Sequence, residues 1–354
     1  MTRDSRIDTI KGVMLAIMLV DHLGGFFRKY TWQPLGYVSA AEGFVVVSGF
    51  LCAKVYGRYC DDYKELVARL LKRALVIYRY HVSAILALYL LTIIIPKYQD
   101  LFSKIFDTFH SNPVKATVLY LCLLYQPDFF CVLPMYIFLL LISPAFLLLM
   151  HRGLYSSALV ISFATWILAQ YYDPQKYLAG YFGYGKTDMF NVFAYQFIFV
   201  IGMYLGYSRD LLAKFCSNKR AFWSVLSLCL MLAFLRHSRI SINYELLNER
   251  LSLPAPRMIN FCLLLTPFWF FARKLPDTFH INYFQFLGRN SLQFFSLHVV
   301  TNYAFIPFSW WAEVYLGKLG PTVYCIFTFG AITCLLLAYK KTVAKFRSRF
   351  AADP

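Results

Sequence analysis

The chain predicts an all-α, polytopic integral membrane protein of about ten transmembrane helices with both termini in the cytoplasm, and three observations predict it. First, 59% of its 354 residues are hydrophobic and only 15% charged, with a mean hydropathy of +0.54, whereas soluble domains run roughly 45–50% apolar and about a quarter charged. Second, the apolar residues gather into runs near the roughly 20 residues that a bilayer crossing needs. Third, Lys and Arg outnumber Asp and Glu by 35 to 18, and they cluster between alternate runs, as the cytoplasmic bias of basic residues requires. A net charge of +17 therefore reads as topology rather than as a nucleic-acid surface. No low-complexity tract, sustained heptad or short fixed repeat is seen, so residues 1–354 read as a single multi-pass domain.

The expected spans fall near 10–27, 40–57, 75–96, 129–150, 155–172, 191–208, 221–236, 257–272, 290–308 and 321–339. The stretch 114–125 is expected to be re-entrant or interfacial. The first run carries Asp21 and His22 and lacks a small-residue cleavage site, so it reads as a retained helix and not as a removable signal. Basic clusters at the N-terminus (Arg3, Arg6, Lys11), in the 58–74 connection, at 209–220 (Arg209, Lys214, Lys219, Arg220), at Arg273-Lys274 and in the tail fall on one side. The loops near 97–128, 173–190 and 237–256 then face outward. The nine cysteines show neither a CxxC pair nor metal-ligand spacing, so they read as small core residues and no metal is expected.

Ionisable side chains at membrane depth are costly and mark function unless they are paired inside the bundle. Asp21, His22, Glu42, Lys54, Arg79, His81 and His298 make up that list. His22 is the candidate general base, because a neutral imidazole can take a hydroxyl proton near neutral pH, against a hydrogen-bonded core histidine as the plain reading. Lys11 lies eleven positions earlier, within about 20° of the same helix face and about 16 Å away along the axis. That interval matches the reach of a pantetheine arm, though a snorkelling lysine at a helix end would look the same. Glu42 reads either as a partner that orients or balances His22 or as a helix N-terminal carboxylate. Asp21, about 100° round the helix from His22, reads as a supporting group or as the partner of another helix. Arg79 and His81, with Arg73, form a candidate phosphate-binding mouth at the cytoplasmic half of the third span, against positive-inside topology as the plain reading. His298 reads as a structural hydrogen-bonding residue. The loop 177–186 interleaves tyrosine and glycine, which suits sugar stacking and an interfacial aromatic belt equally. Ser48-Gly49 reads as helix packing together with Gly43.

The stretch Arg6-Ile7-Asp8-Thr9-Ile10-Lys11-Gly12, then Asp21-His22, Ala41-Glu42-Gly43-Phe44 and Val47-Ser48-Gly49-Phe50, resembles the OpgC-type membrane acyltransferases, relatives of the acyltransferase-3 superfamily. The superfamily's hallmark, a basic residue followed after ten positions by histidine, falls on Lys11 and His22. Further matches are Tyr78-Arg79-Tyr80-His81, Val132-Leu133-Pro134-Met135-Tyr136, Phe190-Asn191 with Gln196, and Gly288-Arg289-Asn290-Ser291-Leu292 followed by His298. Gly24 departs from an expected proline, and Val192 and Tyr195 stand where proline and tryptophan are expected. The resemblance implies a bacterial inner-membrane enzyme without a permanently bound cofactor. Its co-substrate would be cytoplasmic acyl-CoA (acetyl-CoA or succinyl-CoA) and its acceptor a hydroxyl of a periplasmic or surface glycan, with self-association open. A proton-coupled glycan or lipid exporter is the competing class, since buried His, Asp, Glu and Arg would serve it too. A subunit without chemistry is the third.

Overall fold

The computed structural model describes residues 4–95, 112–127, 129–182, 189–208, 218–238 and 249–350, with Tyr98 and Leu247 besides. Among these there is no strand. In chain order the α-helices are α1 (Ser5–Leu23), α2 (Gly25–Thr31), α3 (Ala40–Tyr56), α4 (Tyr63–Ile94), α5 (Pro113–Leu121), α6 (Val132–His151), α7 (Tyr155–Tyr171), α8 (Pro174–Phe182), α9 (Val192–Tyr207), α10 (Lys219–His237), α11 (Ala255–Lys274), α12 (Asn282–Arg289), α13 (Ser291–Ala304), α14 (Ile306–Leu316) and α15 (Gly320–Phe350).

Every expected span contains a helix. Among the described residues six stretches are long and apolar enough to cross a membrane by length and composition: Ala40–Tyr59, Tyr63–Leu91, Val132–His151, Lys219–His237, Ala255–Lys274 and Ile306–Val343. The boundaries shift where local chemistry dictates. The first helix starts at Ser5, because the Asp4 side chain caps it by accepting from the Arg6 amide. It stops at Leu23, because Gly24 and Gly25 take positive φ of 75° and 77°. The 58–74 connection is largely helix, since α4 begins at Tyr63 under the Asp62 cap. The 290–308 segment divides at Phe305 into α13 and α14. At nine residues, α5 is about 13 Å long, less than half a bilayer core. Residues 177–182 of the aromatic loop are helical in α8, and its remainder, 183–186, lies outside the described residues, as do Arg209 and Lys214 of the expected cytoplasmic connection.

Close helix packing in a bilayer relies on small residues, because lipid is as apolar as leucine. A Cβ on Gly49 would meet the Phe199 carbonyl, and one on Gly202 would meet the Val46 carbonyl, so α3 and α9 touch backbone to backbone. Gly43, by contrast, faces the Met14 side chain and not this seam. The start of α1 is held against α12 the same way, with Gly12 on the Phe284 carbonyl and Gly288 on the Asp8 carbonyl. Arg289 lies 3.5 Å from the Asp8 carboxylate at that junction. Around α1 pack α3, α12 and α13, while α13 also meets α4 and α15. The last turn of α1 is thereby brought to the middle of α13.

Candidate active site

His22 occupies the last turn of α1, and His298 the middle of α13. Their rings meet, with His22 Nδ1 2.9 Å from His298 Nε2 and centroids 4.8 Å apart. Phe129 lies on His22 at 4.5 Å, from a backbone position with φ of 66°. That left-handed conformation is uncommon for a bulky residue and tends to occur where structure is constrained for function. His298 is fully buried, and its Nδ1 has no hydrogen-bond partner. His22 is only partly buried and lines a cavity of about 160 Å³ that His298 does not reach. With Nδ1 engaged by His298, Nε2 is the ring nitrogen of His22 that this contact leaves over.

Asp21, Trp32, Ser39, Phe129 and Arg250 line the same cavity. Asp21 is buried and accepts from the Thr31 hydroxyl at 2.6 Å, which ties the end of α2 back to α1. Arg28 and Arg250 both lie against the Trp32 ring, at 4.8 and 5.8 Å from its centroid. Glu42 is not at the cavity wall. Its Oε2 accepts from the Ser39 amide at 3.0 Å and from the Ser39 hydroxyl, completing a capping box at the start of α3. Its Oε1 accepts from Arg257 Nε at 2.6 Å and contacts Nη2 as well. Both side chains are wholly buried, and Arg257 Nη1 adds a bond to the Leu247 carbonyl at 3.2 Å. The carboxylate expected to orient His22 is therefore engaged by Arg257, with no contact to His22.

Lys11 and His22 share the unbroken helix α1, with buried Leu15 and Met18 between them on the same face. The Lys11 ammonium sits 5.9 Å from the Phe44 ring centroid. The expected mouth of Arg79 and His81 does not form as one group. Two positions on a helix stand about 200° apart, so Arg79 is exposed with Arg73 on the outside of α4 while His81 is wholly buried. The His81 ring stacks on Tyr120 at 4.5 Å, and the Tyr120 hydroxyl donates to the His81 carbonyl at 2.9 Å.

Three features were missing from the sequence reading: the partnership of His298 with His22, the Arg257 counter-ion of Glu42, and Arg250. An arginine at the expected outer start of an apolar run, against the positive-inside trend, is the signal that could have found Arg257. Arg250 stands in a loop and gives no such signal.

A model of the OpgC protein family matches residues 3–341. The chain belongs to the OpgC family. No match is found among the curated proteins or among the solved structures. Membership points to a membrane acyltransferase of the glucan-modifying kind. In this OpgC-family chain the matched residues around Asn191 are scaffold. Asn191 caps α9 through Phe193 and Ala194, and its Nδ2 donates to the Ala169 carbonyl at 3.2 Å. Gln196 exchanges bonds with Ser162, accepting from its hydroxyl at 2.6 Å and donating to its carbonyl at 2.7 Å.

Proposed function

We propose that this OpgC-family chain is an O-acyltransferase of the bacterial inner membrane. It moves an acetyl or succinyl group from cytoplasmic acyl-CoA to a hydroxyl of a periplasmic or cell-surface glycan. On this reading all ten expected segments are spans and both termini are cytoplasmic. The observation that carries the proposal is His22, at the wall of a cavity and backed by His298.

Two neutral imidazoles joined by one hydrogen bond need one donor and one acceptor. With the proton on His22 Nδ1 and the lone pair on His298 Nε2, His22 Nε2 is left as a free base facing the cavity. His22 takes the proton of the sugar hydroxyl as its oxygen bonds to the thioester carbonyl carbon. The tetrahedral intermediate then collapses, the carbon–sulfur bond breaks, and the proton passes to the departing thiolate. The imidazolium formed in between donates from Nδ1 to His298, a charge-assisted bond stronger than the neutral one. Asp21 supports the outer wall through Thr31, and Glu42 holds the start of α3. Lys11, Arg73 and Arg79 bind the donor's phosphates at the cytoplasmic side.

The test is mass spectrometry of periplasmic and surface glycans from the host with and without the gene, complemented by the normal protein or by His22→Ala. An acyl increment restored only by the normal protein supports the reading. Unchanged acylation with altered glycan location would replace it with export.

A further inference from the structure

Residues 250–253 form a strap whose four successive carbonyls are each taken by a donor from α7, from α9 or from the Asn191 cap of α9. The Tyr195 hydroxyl donates to the Arg250 carbonyl at 2.7 Å, and the Asn191 amide to that of Leu251 at 2.9 Å. Gln170 Nε2 donates to the Ser252 carbonyl at 3.1 Å, and Trp166 Nε1 to that of Leu253 at 3.0 Å. Leu253 takes a φ of 49° to let the strap run into α11, a conformation that costs a β-carbon-bearing residue some strain. The Leu251 amide is answered by Glu249 Oε1 at 2.7 Å. A backbone fixed at this many points holds its side chains in register, and the first of them is Arg250, in the wall of the His22 cavity.

Other arginines at helix junctions are spent on carboxylates: Arg6 on Asp4 and Asp277, Arg257 on Glu42, and Arg289 on Asp8. Arg250 has no such ion pair among the described residues, and its side chain rests against Trp32. It is the one described Lys or Arg that lines this cavity. A guanidinium carries five N–H donors in a fixed fork, so these remain to be offered to whatever occupies the space beside His22.

We propose that Arg250 is the oxyanion-holding residue of the acyl transfer, an inference that rests on the function proposed above. As the sugar oxygen bonds to the thioester carbonyl carbon, the carbonyl π pair moves onto its oxygen, and a full negative charge appears there. The hydroxyl proton is then on His22. Collapse returns the electron pair, expels the thiolate and gives that sulfur the proton. The thioester oxygen is neutral before and after, so a cation fixed beside it binds the transition state more tightly than the ground state. Groups held in place before the reaction make this stabilisation effective, since no reorganisation accompanies the charge. The strap supplies that fixity.

The test uses the full-length protein in nanodiscs, with acetyl-CoA and succinyl-CoA as donors and the host's own glucan as acceptor. Arg250→Gln is expected to lower kcat on the order of 10²–10³-fold, the usual loss for an oxyanion-hole donor. KM for the donor and the melting temperature stay near the normal values, and both donors suffer alike. Added methylguanidinium is expected to restore part of the turnover of Arg250→Ala and none of that of His22→Ala. An unchanged kcat would overturn the inference, as would a rise in KM alone or a loss confined to the carboxylate-bearing donor. Should Arg250→Gln fail to reach the membrane, Arg250→Met is read by the same criteria. A normal protein that turns over no acyl-CoA would overturn both this inference and the function beneath it, whereas active normal protein with a fully active Arg250→Gln would overturn this one alone.

Discussion

Removing the Glu42 side chain tests whether that residue is scaffold or chemistry. Glu42→Ala strands the Arg257 guanidinium at a site where both partners are wholly buried, leaving it the Leu247 carbonyl. Breaking one side of a buried pair costs about 3–5 kcal/mol, because the surviving charge is neither hydrated nor matched. Loss of the capping box with Ser39 adds about 1 kcal/mol. For a chain of this size each kcal/mol moves the melting point by roughly 2 °C, so the variant should melt about 8–12 °C lower in detergent. Arg257→Met should cost less, since the Glu42 carboxylate keeps the amide and hydroxyl of Ser39 as donors. The pair Glu42→Gln with Arg257→Met keeps an N3 capping side chain and strands no charge, so it should recover most of the loss. The assay is heating of detergent-solubilised protein, followed by size-exclusion of what stays monodisperse. Single variants melting within 1–2 °C of normal, or losses that simply add in the double variant, would refute the reasoning.

Other consequences are open to similar measurement. His298→Ala should lower kcat by about 10–10²-fold, less than the roughly 10²–10⁴-fold that a general base itself supplies, at unchanged donor KM. His298→Gln, which can still accept from His22 Nδ1, should recover part of that loss. Gly202→Val would drive a branched side chain into the Val46 carbonyl where α3 and α9 touch, so little monodisperse protein should survive extraction. Tyr195→Phe removes one neutral hydrogen bond, worth about 1 kcal/mol. Its melting point should fall by roughly 2 °C, while turnover falls several-fold as the Arg250 carbonyl loses its anchor.

The sequence made the helices legible and marked His22 as a candidate because both are local signals. An apolar run needs no partner to be recognised, and His22 within one is conspicuous by its cost. The pairing of His22 with His298 spans 276 positions and depends on how α1 and α13 cross, which no periodicity encodes. Glu42 was visible as a buried acid, but its counter-ion lies 215 residues away, and no local pattern links the two. The phosphate-binding grouping of Arg79 with His81 misjudged helix geometry, since neighbours two apart point in nearly opposite directions. Helix ends were displaced where caps and glycines decide them: the Asp62 cap lets α4 start at Tyr63, and Gly24 and Gly25 end the first helix early.

The strap at 250–253 also bears on how a protein of this kind can diverge. Its anchors grip main-chain carbonyls, which every amino acid possesses, so exchange of the side chains at 251 and 252 leaves those hydrogen bonds available. A lineage can therefore exchange these side chains while the main chain that carries Arg250 keeps its place.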